Sequence, residues 1–450
     1  MDQPLAKVTP PERPLGSFAL IATVVRNPIE AWPRAVYEAP VYRSVLFGRP
    51  TLFVTEPDLV REVLVAQADA FDKAESMRRA LRPALGDGIL TADGAHWRWQ
   101  RRATAPIFRH ERLLAFGDAM LGAADRALSR LQARSGTEID LASEMMHTTF
   151  DIIVDTMLSS TGDIEVAQVD RDVTHYLEST SWLVAYALLR APHWLPYPGQ
   201  RRAERARDDL RAEIMRLVAE RRRGGTAWPD LIALLLDARD PDSGRAMDDQ
   251  EIADNLLTFI TAGHETTALA LTWTFYLLSH HPAVERRLLD EIETVTGGGA
   301  LRTEHLEGLA YARQVLQEAM RLYPPAPVIV RAANRDLRLG GEPIAAGTPV
   351  YVPVYALHRH VRLWSSPDSF DPDRFAAEPA RERHRFAYLP FGAGPRICIG
   401  TTFAMLEAVA ILATVLRGVR LSTRPGHVPR PKLRITLRPA DGMPMQVTAR

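Results

Sequence analysis

At 450 residues, 46% hydrophobic and 24% charged, the chain is long enough to bury a large core and too apolar to be disordered or fibrous. Lysine plus arginine and aspartate plus glutamate both number 55, so the formal net charge is zero and nothing in that balance favours a nucleic-acid partner. A single cysteine, Cys398, excludes an intramolecular disulfide framework and fits a reducing compartment.

The N-terminus is polar and proline-rich, with no evident targeting signal. Its first apolar run, Phe18 to Val25, falls well short of the roughly 20 residues needed to span a bilayer, so the expectation is a cytoplasmic protein without a transmembrane anchor. Val41–Phe47 and Thr51–Thr55 flank Gly48-Arg49-Pro50 and predict a hairpin. Apolar residues at 59, 60, 63 and 64 predict a helix from Pro57 to Val65. Arg78 to Gly94, with its glycines and arginines, reads as a loop leading into the helical segment HWRWQRRATAPIF. From about 112 to 280 the pattern is helical, with breaks at 191–202 and at 221–229.

Within that region Asp248 and Glu251 resemble a capping box and Pro282 closes the segment, which predicts a helix of roughly 33 residues. Its middle reads Ala262-Gly263-His264-Glu265-Thr266-Thr267. A glycine inside a helix costs about 1 kcal/mol, and a threonine there tends to bond back to the carbonyl four residues earlier, here Ala262. Ala262 and Gly263 leave room for a ligand to approach the backbone. A zinc-protease reading needs a second histidine at 268, where the residue is Ala268. Two readings remain: a threonine-rich kink with a solvated glutamate, or an acid–alcohol pair, Glu265 and Thr266, that relays protons.

After Tyr323 proline and glycine become frequent, and short segments such as Arg338–Leu339 and Pro349–Val354 predict small sheets. A meander follows to about Pro390, then Phe391–Gly400, FGAGPRICIG, one more helix and a strand-like tail. Glycines and proline make the loop tight, and Cys398 sits at a helix N-terminus, where the dipole favours a thiolate. Taken alone, such a thiolate is a metal ligand or a nucleophile. With no repeat or clear linker, residues 1–450 are expected to form one interwoven, mainly α unit with a minor β part. The β-rich part is expected at about 35–72, 324–372 and 421–450, the helix-rich part at about 73–323 and 386–420.

Five motifs in order make the chain resemble the cytochrome P-450 family of haem-thiolate monooxygenases. Phe391-Gly392-Ala-Gly-Pro-Arg396-Ile-Cys398-Ile-Gly400 is similar to the haem-binding loop, and Ala262–Thr267 to the oxygen-activation segment of the long helix. Glu318-Ala-Met-Arg321 is similar to the family's Glu-x-x-Arg, Pro372-Asp-Arg374-Phe375 to its Pro-x-Arg-Phe, and Trp97 with Arg101 to its Trp-x-x-x-Arg. One departure is His360, where the family often has aspartate after His358-Arg359.

The resemblance implies the cytochrome P-450 fold and haem b with Cys398 as axial iron ligand, a thiolate that favours O–O bond cleavage. It implies that Phe391, Gly392, Arg396 and Gly400 surround the haem, that Trp97, Arg101, Arg331 and Arg396 reach its propionates, and that dioxygen binds at Ala262 and Gly263. Thr266 and Glu265 would be catalytic, and Glu318, Arg321 and Arg374 a buried structural network. By family position the substrate pocket draws on Met77, Leu81, Leu85, Ile89, Leu90, Leu177, Trp182, Leu183, Val328 and Ile329, an apolar set that points to a fatty acid, terpenoid or steroid-like substrate. Arg78, Arg79 and Arg82 could meet a substrate carboxylate, with solvated charges as the plainer reading. Neither a flavin nor an iron–sulfur site is legible, so electrons from NAD(P)H would arrive through a separate ferredoxin and ferredoxin reductase, with Arg98, Arg102 and Arg109 as docking candidates. A monomer is expected. A peroxide-driven peroxygenase and a non-enzymatic haem carrier or sensor are the alternatives.

Overall fold

The computed structural model describes residues 5–46, 48–158, 176, 182–187, 189, 191–192, 194–224 and 230–450. Its spine is the helix Asp249–His280, the predicted long helix, whose 32 residues extend about 48 Å at 1.5 Å per residue. The Asp248 carboxylate accepts from the Glu251 amide at 2.8 Å and the Glu251 carboxylate accepts from the Asp248 amide at 3.1 Å, closing the capping box. Helices Leu141–Ile153, Gln200–Gly224, Ala310–Leu322 and Thr401–Gly418 pack around this spine, and Gly117–Ala133 backs Thr401–Gly418. Together they enclose the main apolar core. Thr401–Gly418 is long and apolar enough to cross a membrane, and 67% of it is buried in the protein.

A second core lies under a five-stranded sheet. In chain order its strands are β1 (Val41–Leu46), β2 (Arg49–Val54), β3 (Phe71–Lys73), β5 (Ile329–Ala333) and β8 (Pro349–Val352), arranged β1-β2-β8-β5-β3 with only β2–β8 parallel. β6 (Leu337–Leu339) and β7 (Glu342–Ile344) form a hairpin beside it. A three-stranded sheet joins β4 (Glu138–Asp140), β12 (Pro444–Ala449) and β9 (Val419–Thr423), while β10 (Pro431–Leu433) and β11 (Leu437–Pro439) make a last hairpin. Mainly α with small sheets is the architecture expected from the sequence.

Local details depart from that expectation. The predicted loop from Arg78 begins as a helix, Glu75–Leu85, because Ala80, Leu81, Ala84 and Leu85 share a buried face that the arginines between them obscure; Pro83 is tolerated in its last turn. The helix Gln200–Gly224 ends within the expected break at 221–229, of which 225–229 lie outside the described residues; in its last turn Arg221 pairs with Asp230 at 2.5 Å and Arg222 also engages Asp249. The helix after Pro57 ends at Arg61 and continues as a wider π-type turn, Glu62–Ala66. Strand β4 was not read from the sequence; it forms by pairing with β12, some three hundred residues away.

The meander is tied down by a buried ion network. Arg321 is fully buried and donates from Nε and Nη2 to the Glu318 carboxylate at 2.7 and 2.8 Å. Its other donors reach the carbonyls of His358, Pro367 and Ser369 at 2.9, 2.7 and 2.8 Å. Arg374 Nε lies 3.4 Å from Glu318 Oε1, which also accepts from the Asp371 amide at 3.0 Å. His360, at the departure from the family pattern, is also buried; Nδ1 accepts from the Arg362 amide at 3.3 Å and burial lowers its pKa. Because removing one partner strands the other charge in the core, Arg321→Met should cost ~3–5 kcal/mol in urea unfolding; an unchanged midpoint would exclude a structural role for the network.

Candidate active site

The loop before Thr401–Gly418 holds Cys398 by its backbone. The Cys398 amide donates to Phe391 O at 2.9 Å, and Cys398 O accepts from Thr401 Oγ1 at 3.0 Å. Gly394 has φ +73°, and a Cβ there would lie 1.9 Å from Leu64 O, so the loop can close against that turn only with glycine. Gly392 is likewise left-handed, at φ +72°, and Gly400 caps the helix. The Cys398 side chain is exposed. Protein crowding its other sides pushes the thiol pKa up, while the Gly400 amide, the Thr401 hydroxyl and the charge of Arg101 act in the opposite direction. Among the described residues no group of three or more His, Cys, Asp or Glu side chains could hold a bare metal ion, so Cys398 can offer one ligand only.

Helix Gly94–Thr104 presents Trp97 and Arg101 one turn apart. The guanidinium of Arg396 lies 4.2 Å from the Trp97 ring centre and donates to Ala92 O at 3.0 Å and to Asp93 Oδ1 at 2.5 Å. Two further cations stand close by. Lys73 and Arg331 are register partners across β3 and β5, and Lys73 is only 7% exposed. Burial, reinforced by Arg396 and Arg331, lowers Lys73 to about 7, and burial with Arg396 lowers Arg331 to about 10. The one carboxylate acting on all three cations is Asp93. Such a cluster calls for added negative charge.

On the long helix every residue from Ile252 to Leu278 is buried except Thr261, Ala262, Gly263 and Thr266. These four make an accessible notch about one turn long. Thr266 Oγ1 donates to Ala262 O at 2.7 Å, the predicted back-bond. A Cβ on Gly263 would meet only Ile153 Cδ1, at 3.5 Å, so the protein itself does not require glycine here. Glu265 does not turn to Thr266, as the acid–alcohol reading expected. It is 3% exposed and accepts from Thr436 Oγ1 at 2.6 Å and from Arg438, fixing the helix to the β10–β11 hairpin. Trp273 Nε1 adds a bond to Leu437 O at 3.0 Å.

Among the expected pocket residues, Leu81, Leu85, Ile89 and Leu183 are buried in the main core, with Met77 and Val328 packed against it. Ile329 instead packs on the sheet core, Leu90 is 37% exposed, and Trp182 meets Tyr186 edge-on. Leu177 lies outside the described residues. Of the docking arginines, Arg98 and Arg109 are exposed, whereas Arg102 is committed to Asp240 at 3.0 Å.

A sequence profile of the cytochrome P450 family matches residues 27–443. The chain belongs to the cytochrome P450 family. It is 34% identical over 435 residues to the cyclooctat-9-en-7-ol 5-monooxygenase of Streptomyces melanosporofaciens, covering 94% of this chain and 93% of that one. Pentalenene oxygenase of Streptomyces avermitilis is 33% identical, with coverage of 88% and 87%. The crystal structure of the cytochrome P450DA heme domain superposes with a TM-score of 0.85 at 26% identity, covering 99% and 98% of the two chains. This P450 is therefore an oxygen-incorporating oxidoreductase with a haem cofactor. The residues present fit that cofactor: an exposed lone thiol, and buried cations sharing one carboxylate where two propionates would supply the missing charge.

Sequence reasoning missed three residues here. Lys73 follows Phe71 on the inward phase of β3, and a lysine in that phase is itself a signal of an anionic partner. Asp93 sat inside what read as a loop. Glu407 stands alone as an acid in the apolar run TTFAMLEAVAILATVL; it is 1% exposed, beside Thr267, and burial pushes it up to about 8. The unfolded chain releases this proton near 4.5 while the folded chain keeps it to about 8, so stability falls as pH rises through that window. Glu407→Gln should be the more stable protein by ~1–3 kcal/mol at pH 8, with the difference closing by pH 4.5 in denaturation curves. A difference independent of pH would show that Glu407 is charged in the fold.

Proposed function

We propose that this P450 hydroxylates or epoxidises a lipophilic small molecule of terpenoid, fatty-acid or steroid-like type. Electrons come from NAD(P)H through a separate ferredoxin and reductase in the cytoplasm. The observation that carries the reading is the notch at Ala262, Gly263 and Thr266, accessible surface in the middle of an otherwise buried helix. Leu81, Leu85, Ile89 and Leu183, apolar members of the core that also holds the long helix, support a hydrocarbon-rich substrate, and so do relatives whose names specify oxidation of cyclooctat-9-en-7-ol and pentalenene.

Haem, when bound, would supply the dioxygen-activating chemistry, and Cys398 is the residue that would hold its iron. Around it the chain's own groups have separate tasks. Arg101, Arg331, Arg396 and Lys73 would hold the propionates, and Trp97 keeps Arg396 in place by cation–π contact. Thr266 Oγ1, its proton given to Ala262 O, offers lone pairs to a water or protonated group in the notch. Glu265, bound to Arg438 and Thr436, keeps the notch in register with the β10–β11 hairpin, so it acts by position and not as the immediate proton donor.

The ferrous protein under carbon monoxide should show the red-shifted Soret band of thiolate-ligated haem, and an imidazole-like position would overturn the assignment of Cys398. Turnover should need ferredoxin and reductase and fail with peroxide alone. Thr266→Ala should retain carbon-monoxide binding but consume several-fold more NAD(P)H per product; full coupling in that variant would remove the hydroxyl from proton handling.

A further inference from the structure

A cleft of about 620 Å³ opens between the helix Glu75–Leu85 and the chain from Leu195 to Arg207. That volume lies in the ordinary range for small-molecule sites, ~300–1,000 Å³. Its walls include neither Cys398 nor the notch residues; they carry Arg78, Arg79, Arg82 and Arg207 with Glu75 and Glu204, beside apolar surface from Leu183, Leu195 and Tyr197.

Three of the four arginines are already engaged. Arg79 donates to the carbonyls of Ala191 and Pro192 at 2.5 and 3.0 Å and so fixes the rim. Arg82 pairs with Asp87 at 2.9 Å and Arg207 with Asp208 at 2.7 Å. Arg78 differs. Its acid neighbours, Glu75 and Asp93, both stand off at 3.7 Å, beyond hydrogen-bond reach, and its Nε is buried without a partner. Asp93 holds Arg396 through Oδ1 at 2.5 Å, and its Oδ2, the atom 3.7 Å from Arg78, is likewise buried without a hydrogen bond. A guanidinium has a planar fork matched to a carboxylate, and leaving buried donors unpaired costs free energy.

We propose that this cleft receives the carboxylate end of a lipophilic substrate, with Arg78 gripping the two oxygens and Leu183, Leu195 and Tyr197 covering the adjoining carbons. This rests on the monooxygenase reading, since the acid is then the end of the molecule remote from the carbon oxidised. The four arginines are matched by Glu75, Glu204, Asp87 and Asp208, so the wall is neutral overall; Arg78's own geometry and not net charge would hold the head group, which disfavours a phosphate dianion. Asp93 links Arg78 to Arg396, so the head group would sit one side chain away from the propionate cations.

The test is calorimetric titration of the holoprotein with decanoate and with 1-decanol, which has the same chain and no charge. The parent should bind decanoate ~10-fold tighter than the alcohol. Arg78→Gln should remove that preference and Arg82→Gln should keep it. Glu75→Gln, which relieves Arg78 of an acid competitor, should tighten decanoate severalfold and leave the alcohol unchanged, a gain that misfolding cannot mimic. Equal affinities in the parent, or a preference retained in Arg78→Gln, overturn the proposal. The carbon-monoxide spectrum separates the two readings: a red-shifted Soret without acid preference refutes the cleft alone, and acid preference without that band refutes the monooxygenase reading alone.

Discussion

Buried Lys73 and half-buried Arg331 and Arg396 share a single common carboxylate, Asp93, and added negative charge would stabilise the arrangement. Burial lowers the pKa of all three cations, so a nearby anion would stabilise their charged forms. Two of them come from neighbouring strands of the five-stranded sheet and the third from the cysteine loop. On the proposed reading the small sheet thus contributes two of the cations that would meet the cofactor. It also explains why Arg396 stacks on Trp97: the contact holds a cation where its own electrostatics would push it away.

The second constraint is mechanical. A helix of 32 residues with an accessible notch at its centre has to be held straight and in register on both sides of that notch. Thr149 Oγ1 donates to His264 O at 2.9 Å on one side, while Glu265 and Trp273 bind the β10–β11 hairpin on the other. Glu265 thus spends its charge on Arg438, and Glu407, the other acid near the notch, is kept neutral by burial. With both carboxylates so engaged, the polar side chains presented at the notch are the hydroxyls of Thr261 and Thr266.

Long-range periodicity and motif chemistry made much of this legible from sequence. The capping box at Asp248, the back-bond of Thr266, the hairpin after Val41 and the helix after Cys398 all depend on residues a few positions apart, where spacing alone carries the information. What could not be read depends on partners far along the chain. Strand β4 exists because β12 meets it, and the partner of Glu265, Arg438, arrives from 173 residues away. The helix Glu75–Leu85 failed for a different reason: arginines on its outer face masked a sound apolar face on the other side.

That two-faced helix also shows how general chemistry and selectivity are kept apart in this fold. Leu81 and Leu85 point into the core shared with the long helix, so changes there disturb packing as well as any ligand. Arg78, Arg79 and Arg82 lie on the opposite face against the cleft, where substitution alters charge with little cost to the core. The motif residues around Cys398 and Thr266 are bound by the needs of the haem and of the long helix. On the proposed reading selectivity falls to a wall whose outer side can vary independently, and in this chain that side carries Arg78, whose Nε is buried without a partner.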